Sequence, residues 1–299
     1  MTEVATPEFV GTFRRMERPG RIDGFAKRYQ MAKSDILRIG AVAYLNARPL
    51  IFSLGRLAPR ADIVVDLPSR LADALADGRL DVAMIPSIEY ARHPGCTIVS
   101  DACIACDGAA RSVKLYSRVH VEQIRTLSLD EGSRTSAALA RILLKEQYGL
   151  EPAIHPLPIG AAVDDISTDA AVVIGDRGML PTHADFDTVW DLGEQWFRWT
   201  GLPFVFAMWI ARPGVDLHGL ETVLAAARDD GLTRLEEIAR REAPLLGLPQ
   251  ADCLSYLRDH LEFHLGQRQR QGLERFFALA GRHGLAPAGV KLAFYEPNP

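Results

Sequence analysis

The chain of 299 residues has few cysteines and no excess of positive charge. Four cysteines are too few for a disulfide framework in a chain of this length, and we interpret them as small buried residues. Cys103 and Cys106 have the spacing of half a zinc site, but no second pair accompanies them. Lys and Arg number 34 against 38 Asp and Glu, a formal net charge of −4, which argues against nucleic acid as a partner.

Long apolar runs are also missing. The longest covers residues 202–211, about half of the roughly 20 residues that a membrane-spanning helix needs, so we predict a buried strand there and no membrane partner. The first 35 residues are charged and interrupted by Pro and Gly, without the apolar centre of a signal peptide. We therefore predict a cytoplasmic protein whose residues 1–35 form a poorly ordered N-terminal extension.

Familiar nucleotide, nucleophile and metal motifs are absent as well. The sequence has no GxGxxG after its first predicted strand, no P-loop of the GxxxxGKS/T type and no GxSxG elbow. His260 and His264 lie four residues apart on one face of a predicted helix, but Glu262 falls outside the HExxH pattern and no third ligand is evident. We therefore predict no metal site.

Strands and helices alternate along the first part of the chain. Apolar runs at residues 36–45, 63–66 and 81–86 predict strands, and residues 68–80 between the last two have mostly helical spacing. A strand–helix–strand order predicts a parallel sheet whose ligands bind at the carboxyl ends of its strands.

A second group of elements begins near residue 120. Residues 126–130 and 170–175 predict strands, with a helix between them. The 202–211 strand then returns to the first group, and helices are predicted from there to the end of the chain. This order predicts an α/β protein with two α/β lobes around a hinge cleft. The predicted lobe 1 comprises residues 36–117 and 206–299, and the inserted lobe 2 comprises residues 118–205.

Polar residues follow several of these strands, where the cleft should open. Asn46 can donate its amide to a ligand carboxylate or hydroxyl, although a turn before Pro49 is the simpler explanation of this segment alone. Ser87 begins a helix and is explained by capping, with ligand binding as an additional role. Arg111 and Ser112 offer a guanidinium and a hydroxyl to an anion, although a surface salt bridge explains an isolated Arg.

The strongest signal lies where the 126–130 strand gives way to a helix. Ser133, Thr135 and Ser136 surround the predicted helix start, and several hydroxyls beside free N–H groups form an anion-binding nest, whereas a cap needs only one. At another carboxyl end, Gly175 and Asp176 follow a buried strand. Asp176 fits either an acid/base group or a cap of the next turn.

Six segments together resemble one family, the chorismate dehydratases that open the futalosine route to menaquinone. These are YLNARPL (44–50), LADGRLDVAMIPSIEYA (75–91), DGAARSVKLYS (107–117), SRTSAALARILL (133–144), VIGDRG (173–178) and DLGEQWFRWTGLPFVFAMW (191–209). The resemblance covers residues from about 36 to 284. It implies a type II periplasmic-binding-protein-like fold, no metal, no organic cofactor and the small-molecule substrate chorismate. Arg177 departs from the family pattern, which more often has a small residue there.

The resemblance implies a lyase that eliminates water from chorismate to give 3-[(1-carboxyvinyl)oxy]benzoate. Matching of motifs assigns Asn46, Thr135 and Asp176 to catalysis. It assigns Ser87, Arg111, Ser112, Ser133, Ser136 and Gly175 to substrate binding.

The identity of the base stays open between the substrate and two carboxylates. The ring proton of chorismate is vinylogous to the ring carboxylate, so hydrogen bonds to that carboxylate would stabilise charge as the proton leaves. We hypothesise that the enolpyruvyl carboxylate of chorismate itself takes the proton, with Asp176 and Glu89 as rival bases.

Two other functions are kept as alternatives. One is 1,4-dihydroxy-6-naphthoate synthase, an enzyme of the same pathway and fold whose first-strand motif is typically of a Ser/Cys-Pro-Asn-Asp type instead of YLN. The other is a non-catalytic protein that binds an aromatic carboxylate. The sequence leaves the oligomeric state open.

Overall fold

The computed structural model describes residues 36–296, which form two β-sheets with helices packed on them. The predicted N-terminal extension, residues 1–35, lies outside the described residues. The strands are β1 (Arg38–Val42), β2 (Asp62–Asp66), β3 (Val82–Pro86), β4 (Thr97–Cys106), β5 (Lys114–Ser117), β6 (Thr126–Asp130), β7 (Ala153–Leu157), β8 (Ala170–Val173), β9 (Thr188–Asp191), β10 (Phe204–Ala211) and β11 (Glu262–His264). The helices are α1 (Arg48–Ile51), α2 (Leu54–Leu57), α3 (Pro68–Ala76), α4 (Ser87–Arg92), α5 (Arg134–Tyr148), α6 (Leu192–Thr200), α7 (Leu220–Leu232), α8 (Leu235–Leu246), α9 (Gln250–Ser255) and α10 (Gln267–Arg282).

The first sheet has six strands in the order β11-β4-β10-β3-β1-β2, and the second has five in the order β7-β6-β8-β5-β9. Each sheet contains a group of three parallel strands, in which β1 pairs with β2 and β3, and β6 pairs with β7 and β8. The returning strands β10 and β5 run antiparallel to their neighbours. The predicted α/β fold with two α/β lobes is confirmed.

The chain passes between the two sheets twice, once between β4 and β5 and once through α6 into β10. Strand β5 pairs with β8 and β9 of the second sheet, whereas the predicted boundary after residue 117 placed it in lobe 1. Phe204 and Val205 pair with β4 of the first sheet, whereas the predicted boundary placed them in lobe 2. The alternation of apolar residues predicts a strand but not its pairing partners, so sequence patterning could not say which sheet each strand joins.

The sequence predicts only helices between the 202–211 strand and the end of the chain, but the structure also contains a strand there. Helix α9 runs into a π-helical turn, Tyr256–His260, and β11 then pairs with the edge of β4. His260 and His264 therefore do not share a helix face. Leu261, Phe263 and Leu265 are buried and the residues between them are exposed, a period of two that indicates a strand. Pairing with β4 satisfies backbone groups that an open sheet edge would leave unpaired.

Within residues 36–296, none of the helices combines the length and the apolar character needed to cross a bilayer.

The carboxylate of Asp81 ties together three strands of the first sheet. It accepts hydrogen bonds from the backbone N–H and the guanidinium of Arg38, which begins β1, and from the guanidinium of Arg212, which follows β10. The Asp81 side chain is only 10% exposed. Although burial disfavours its charge, the bonds from Arg38 and Arg212 lower the pKa of Asp81 to about 2. The charged form is therefore the one that stabilises the fold.

We expect Asp81→Asn to lower the free energy of unfolding by about 2 kcal/mol at pH 7, because the substitution removes a partly buried charge shared by two arginines. The difference from wild type should shrink as the pH falls from about 4, the ordinary Asp pKa, towards 2, where wild-type Asp81 is itself protonated. Urea denaturation at several pH values measures this. Asp77→Asn is the control, since the Asp77 side chain is 63% exposed beside Arg79 and should change stability by less than about 0.5 kcal/mol. Equal effects of the two substitutions at pH 7 would contradict this role of Asp81.

Candidate functional site

A cleft of about 50 Å3 lies between the two sheets and is lined from both sides. Its polar lining comes from the loop after β1, from the segment that crosses to β5, and from the start of α5. The lining residues with side-chain hydroxyl, amide or guanidinium groups are Tyr44, Asn46, Ser112, Ser133, Arg134, Thr135 and Ser136. Apolar residues complete it, among them Val42, Ile104, Val113, Ile174, Phe206 and Leu261.

Asn46 lies in a single 3-10 turn, Leu45–Ala47, directly after β1. Its side-chain oxygen Oδ1 is buried and has no hydrogen-bond partner within the described residues. The turn is held from below by Asp176, whose Oδ1 accepts the Leu45 N–H at 2.9 Å. Asn46 therefore presents an unpaired acceptor at the edge of the cleft, and the alternative that it serves only as a turn residue leaves this oxygen unexplained.

Asp176 does not line the cleft, although it follows β8 as predicted. Burial raises its pKa to about 6, against the lowering effects of the Leu45 N–H and of Arg48. The observed contact is with the turn of Asn46, 131 positions away in the chain, and not with the turn that follows Asp176 itself.

Three hydroxyls gather at the start of α5. Ser133, Thr135 and Ser136 are each no more than 5% exposed and all line the cleft. Ser133 occupies the N-cap position but makes no side-chain capping bond, so its hydroxyl is not used by the helix. The Thr135 hydroxyl instead reaches across the cleft and accepts the backbone N–H of Ile88, in α4, at 3.2 Å. The start of α5 therefore faces the start of α4 through hydroxyl groups.

Ser87 lies beneath the cleft and does not line it. It is fully buried, and its hydroxyl donates to the backbone oxygen of Val205 at 2.8 Å. Its Oγ is also 3.4 Å from Oγ1 of Thr135. Ser87 can therefore support Thr135, but it is separated from the space that a ligand would occupy.

The two neighbouring residues Arg111 and Ser112 point in different directions. Arg111 is exposed, has a left-handed backbone (φ 59°) and is not among the residues that line the cleft. Its backbone N–H, together with that of Ala110, donates to the carboxylate of Asp191 at the end of β9. Ser112 is 2% exposed and lines the cleft. Its Oγ accepts a hydrogen bond of 2.7 Å from the Tyr256 hydroxyl.

Gly175 and Tyr44 form one wall of the cleft together. Gly175 has φ 65°, and a Cβ atom at this position would lie 2.8 Å from the Tyr44 ring. Glycine is therefore required here both for the backbone conformation and for space. Tyr44 was not among the predicted site residues, although it lines the cleft. Burial raises the pKa of its phenol, with the charge of Asp130 as the next cause, so the phenol stays protonated at neutral pH.

Arg134 is a second residue that the sequence analysis missed. It belongs to α5, and its guanidinium pairs with Asp73 of α3 at 2.7 Å and with Glu89 of α4 at 3.1 Å. Glu89 is 3% exposed, and its two oxygens also bond Arg92 and His93. The ion pairs of Arg134 therefore connect α5, on the side of the second sheet, to α3 and α4, on the side of the first sheet.

Arg177, which departs from the family pattern, is not among the residues that line the cleft. It forms an ion pair with Asp130 at 2.5 Å and donates to the backbone oxygen of Ala161. Asp130, 3% exposed, also accepts the N–H of Gly132 at 2.9 Å. This pair therefore supports the loop between β6 and α5 from behind.

We expect Arg134→Ala to loosen the closed arrangement of the two sheets, because it removes three cross-cleft bonds to Asp73 and Glu89. Small-angle scattering without ligand should then give a larger radius of gyration than for wild type. Arg141→Ala, on the exposed side of the same helix, is the control and should leave the scattering curve unchanged. Identical curves for wild type and both variants would contradict a bridging role of Arg134.

Comparison with solved structures supports the fold. Protein AF1704 from Archaeoglobus fulgidus superposes with a TM-score of 0.67 at 15% identity, covering 85% of this chain and all of that one. The periplasmic aliphatic sulphonate binding protein SsuA from Escherichia coli superposes with a TM-score of 0.60 at 16% identity, covering 88% of this chain and 93% of its own. The predicted periplasmic-binding-protein-like fold is confirmed.

Sequence comparison identifies the family. A family model described as menaquinone biosynthesis matches residues 37–282. The chorismate dehydratase of Thermus thermophilus is 30% identical over 261 residues, which cover 81% of this chain and 94% of that enzyme. The chorismate dehydratase of Campylobacter jejuni is 28% identical over 174 residues, 56% of this chain and 64% of that enzyme. The chain therefore belongs to the menaquinone-biosynthesis family, in which it is similar to the chorismate dehydratases.

Proposed function

We propose that this protein is a chorismate dehydratase, a hydro-lyase that converts chorismate into 3-[(1-carboxyvinyl)oxy]benzoate. One observation carries the proposal: Asn46, Ser112 and the hydroxyls at the start of α5 line a single cleft, in a chain 30% identical to a chorismate dehydratase over 94% of that enzyme. We assign the reaction to the futalosine route of menaquinone biosynthesis. Absence of a cofactor and a cytoplasmic location stay predictions.

The polar groups of the cleft match the chemistry of a dicarboxylate. Ser133, Thr135 and Ser136 offer hydroxyl donors at the start of α5, whose free N–H groups favour an anion. Ser112 offers a further hydroxyl from the crossing segment. Donors aimed at the ring carboxylate of chorismate would stabilise the charge that reaches it as the ring proton leaves.

The lining offers no side chain suited to take that proton. Among the described residues that line the cleft there is no Asp, Glu, His, Lys or Cys. Asp176 lies behind the Asn46 turn and bonds the Leu45 N–H, while the oxygens of Glu89 are occupied by Arg92, His93 and Arg134. These contacts support the hypothesis that the enolpyruvyl carboxylate of chorismate acts as the base, held in place by the protein. Asp176 is then a supporting residue.

The cleft as it stands is narrow. A volume of about 50 Å3 holds only about three to five water molecules, less than a six-membered ring with two carboxylate-bearing substituents needs. Binding of chorismate therefore requires the two sheets to separate and close again, a hinge motion that the two crossings of the chain permit.

The first test is turnover of chorismate by the purified protein without added metal or cofactor, followed by mass spectrometry. We expect a product lighter than chorismate by one water, formed faster than in a sample without protein. Chorismate that binds but stays intact would favour the alternative of a non-catalytic carboxylate-binding protein. Absence of binding would exclude chorismate and make the substrate of 1,4-dihydroxy-6-naphthoate synthase the next to test.

The second test separates the roles of Asn46, Thr135 and Asp176. We expect Asn46→Ala and Thr135→Ala each to lower kcat about 10²- to 10³-fold, the usual cost of removing a group that stabilises developing charge. Thr135→Ser keeps the hydroxyl and is the matched control, expected to stay within about tenfold of wild type. Asp176→Asn keeps an oxygen for the Leu45 N–H and should also stay within that range.

The same variants can contradict the substrate-as-base hypothesis. If Asp176→Asn abolished turnover while chorismate still bound, and Asn46→Ala and Thr135→Ala remained active, Asp176 would be the base.

A further inference from the structure

Tyr256 is buried directly behind the cleft and contacts Ser112, one of the residues that line it. It is 1% exposed and is not among the residues that line the cleft. Its hydroxyl donates to Oγ of Ser112 at 2.7 Å, a contact between residues 144 positions apart in the chain. Burial is the main cause that raises the pKa of Tyr256, so its phenol stays protonated at neutral pH.

The Tyr256 O–H donates to the Ser112 oxygen, so this contact begins a hydrogen-bond chain with one direction. Since Oγ of Ser112 already accepts, its own proton is left to donate, and Ser112 lines the cleft. Hydrogen bonds in such a chain polarise one another, which makes the last donor stronger. The free end of this chain is therefore a hydroxyl donor on a residue that lines the cleft.

We propose that Tyr256 is a positioning residue for the dehydration: it directs the Ser112 proton towards a substrate carboxylate. This inference rests on the proposed function, since chorismate carries two carboxylates. Tyr256 touches no substrate atom and acts only through Ser112.

Local structure explains why Tyr256 is held so firmly. It begins the π-helical turn Tyr256–His260, whose wider winding is uncommon and often occurs at functional sites. At the other end of that turn, Nδ1 of His260 lies 3.2 Å from the backbone oxygen of Ala109. The turn therefore contacts the crossing segment twice, at Ala109 and at Ser112, and fixes the phenol relative to the cleft.

The test uses Tyr256→Phe, which keeps the buried ring and removes only the hydroxyl. Tyr90→Phe is the matched control: Tyr90 is 5% exposed, and its hydroxyl donates to the Lys291 backbone oxygen and accepts the Ala293 N–H, away from the cleft. Steady-state kinetics with chorismate should show kcat lowered ~tenfold in Tyr256→Phe, the effect of one lost hydrogen bond, with KM within about threefold. Tyr90→Phe should keep the wild-type kcat, and thermal melting should show similar losses of stability in both variants.

Ser112→Ala and the double variant with Tyr256→Phe complete the experiment. If Tyr256 acts through Ser112, the double variant should be no slower than Ser112→Ala alone. A Tyr256→Phe enzyme with wild-type kcat, a loss that adds fully to that of Ser112→Ala, or an equal loss in Tyr90→Phe would overturn the proposal.

The two proposals fail in different ways. Turnover of chorismate by the wild type with any of those three results overturns the role of Tyr256 alone. A wild type that neither converts chorismate nor binds it in calorimetry overturns the proposed function and, with it, the role of Tyr256.

Discussion

The carboxylate of Asp191 joins the two segments by which the chain passes between its sheets. Its oxygens accept the N–H groups of Ala110 and Arg111 in the first crossing and of Glu194 at the start of α6 in the second. This clamp holds Arg111 in a left-handed conformation and leaves Ser112 facing the cleft. Gly193 permits the close approach, because a Cβ atom there would lie 2.6 Å from Sγ of Cys106. The geometry of the cleft depends on this junction.

Around the junction, the protein keeps its carboxylates out of the cleft lining and its hydroxyls in it. Asp130 is paired with Arg177, Glu89 with Arg92 and Arg134, and Asp176 supports the Asn46 turn. A charge left unpaired in such a buried place would be costly, so each carboxylate has a donor of its own. What remains for a ligand is a set of hydroxyl and amide groups, beside the guanidinium of Arg134 that is already paired with Asp73 and Glu89. Such a site favours a substrate that brings its own charges.

Particular residues show how far local patterns reach. The strand 126–130 and the start of α5 were predicted within a residue or two, because apolar periodicity and a cluster of hydroxyls are local signals. Strand β11 was missed, although the alternation from Leu261 to Leu265 was present, because the surrounding helical pattern outweighed five residues. The lining role of Tyr44 was missed because an aromatic residue after a strand has no pattern that distinguishes core from cleft. Arg134 gave no signal at all, since its partners Asp73 and Glu89 lie on other helices.

The sequence by itself determined the alternation of strands and helices, the hydroxyl-rich start of α5 and, through its motifs, the family. Each of these depends on neighbours a few residues apart, which periodicity and spacing encode directly. Only the tertiary structure decided that Ser112 faces the cleft while Arg111 faces solvent, that Asp176 lies behind the Asn46 turn, and that Tyr256 meets Ser112. The physical reason is that these outcomes depend on which distant backbone and side-chain groups share a buried space, and packing alone brings such groups together.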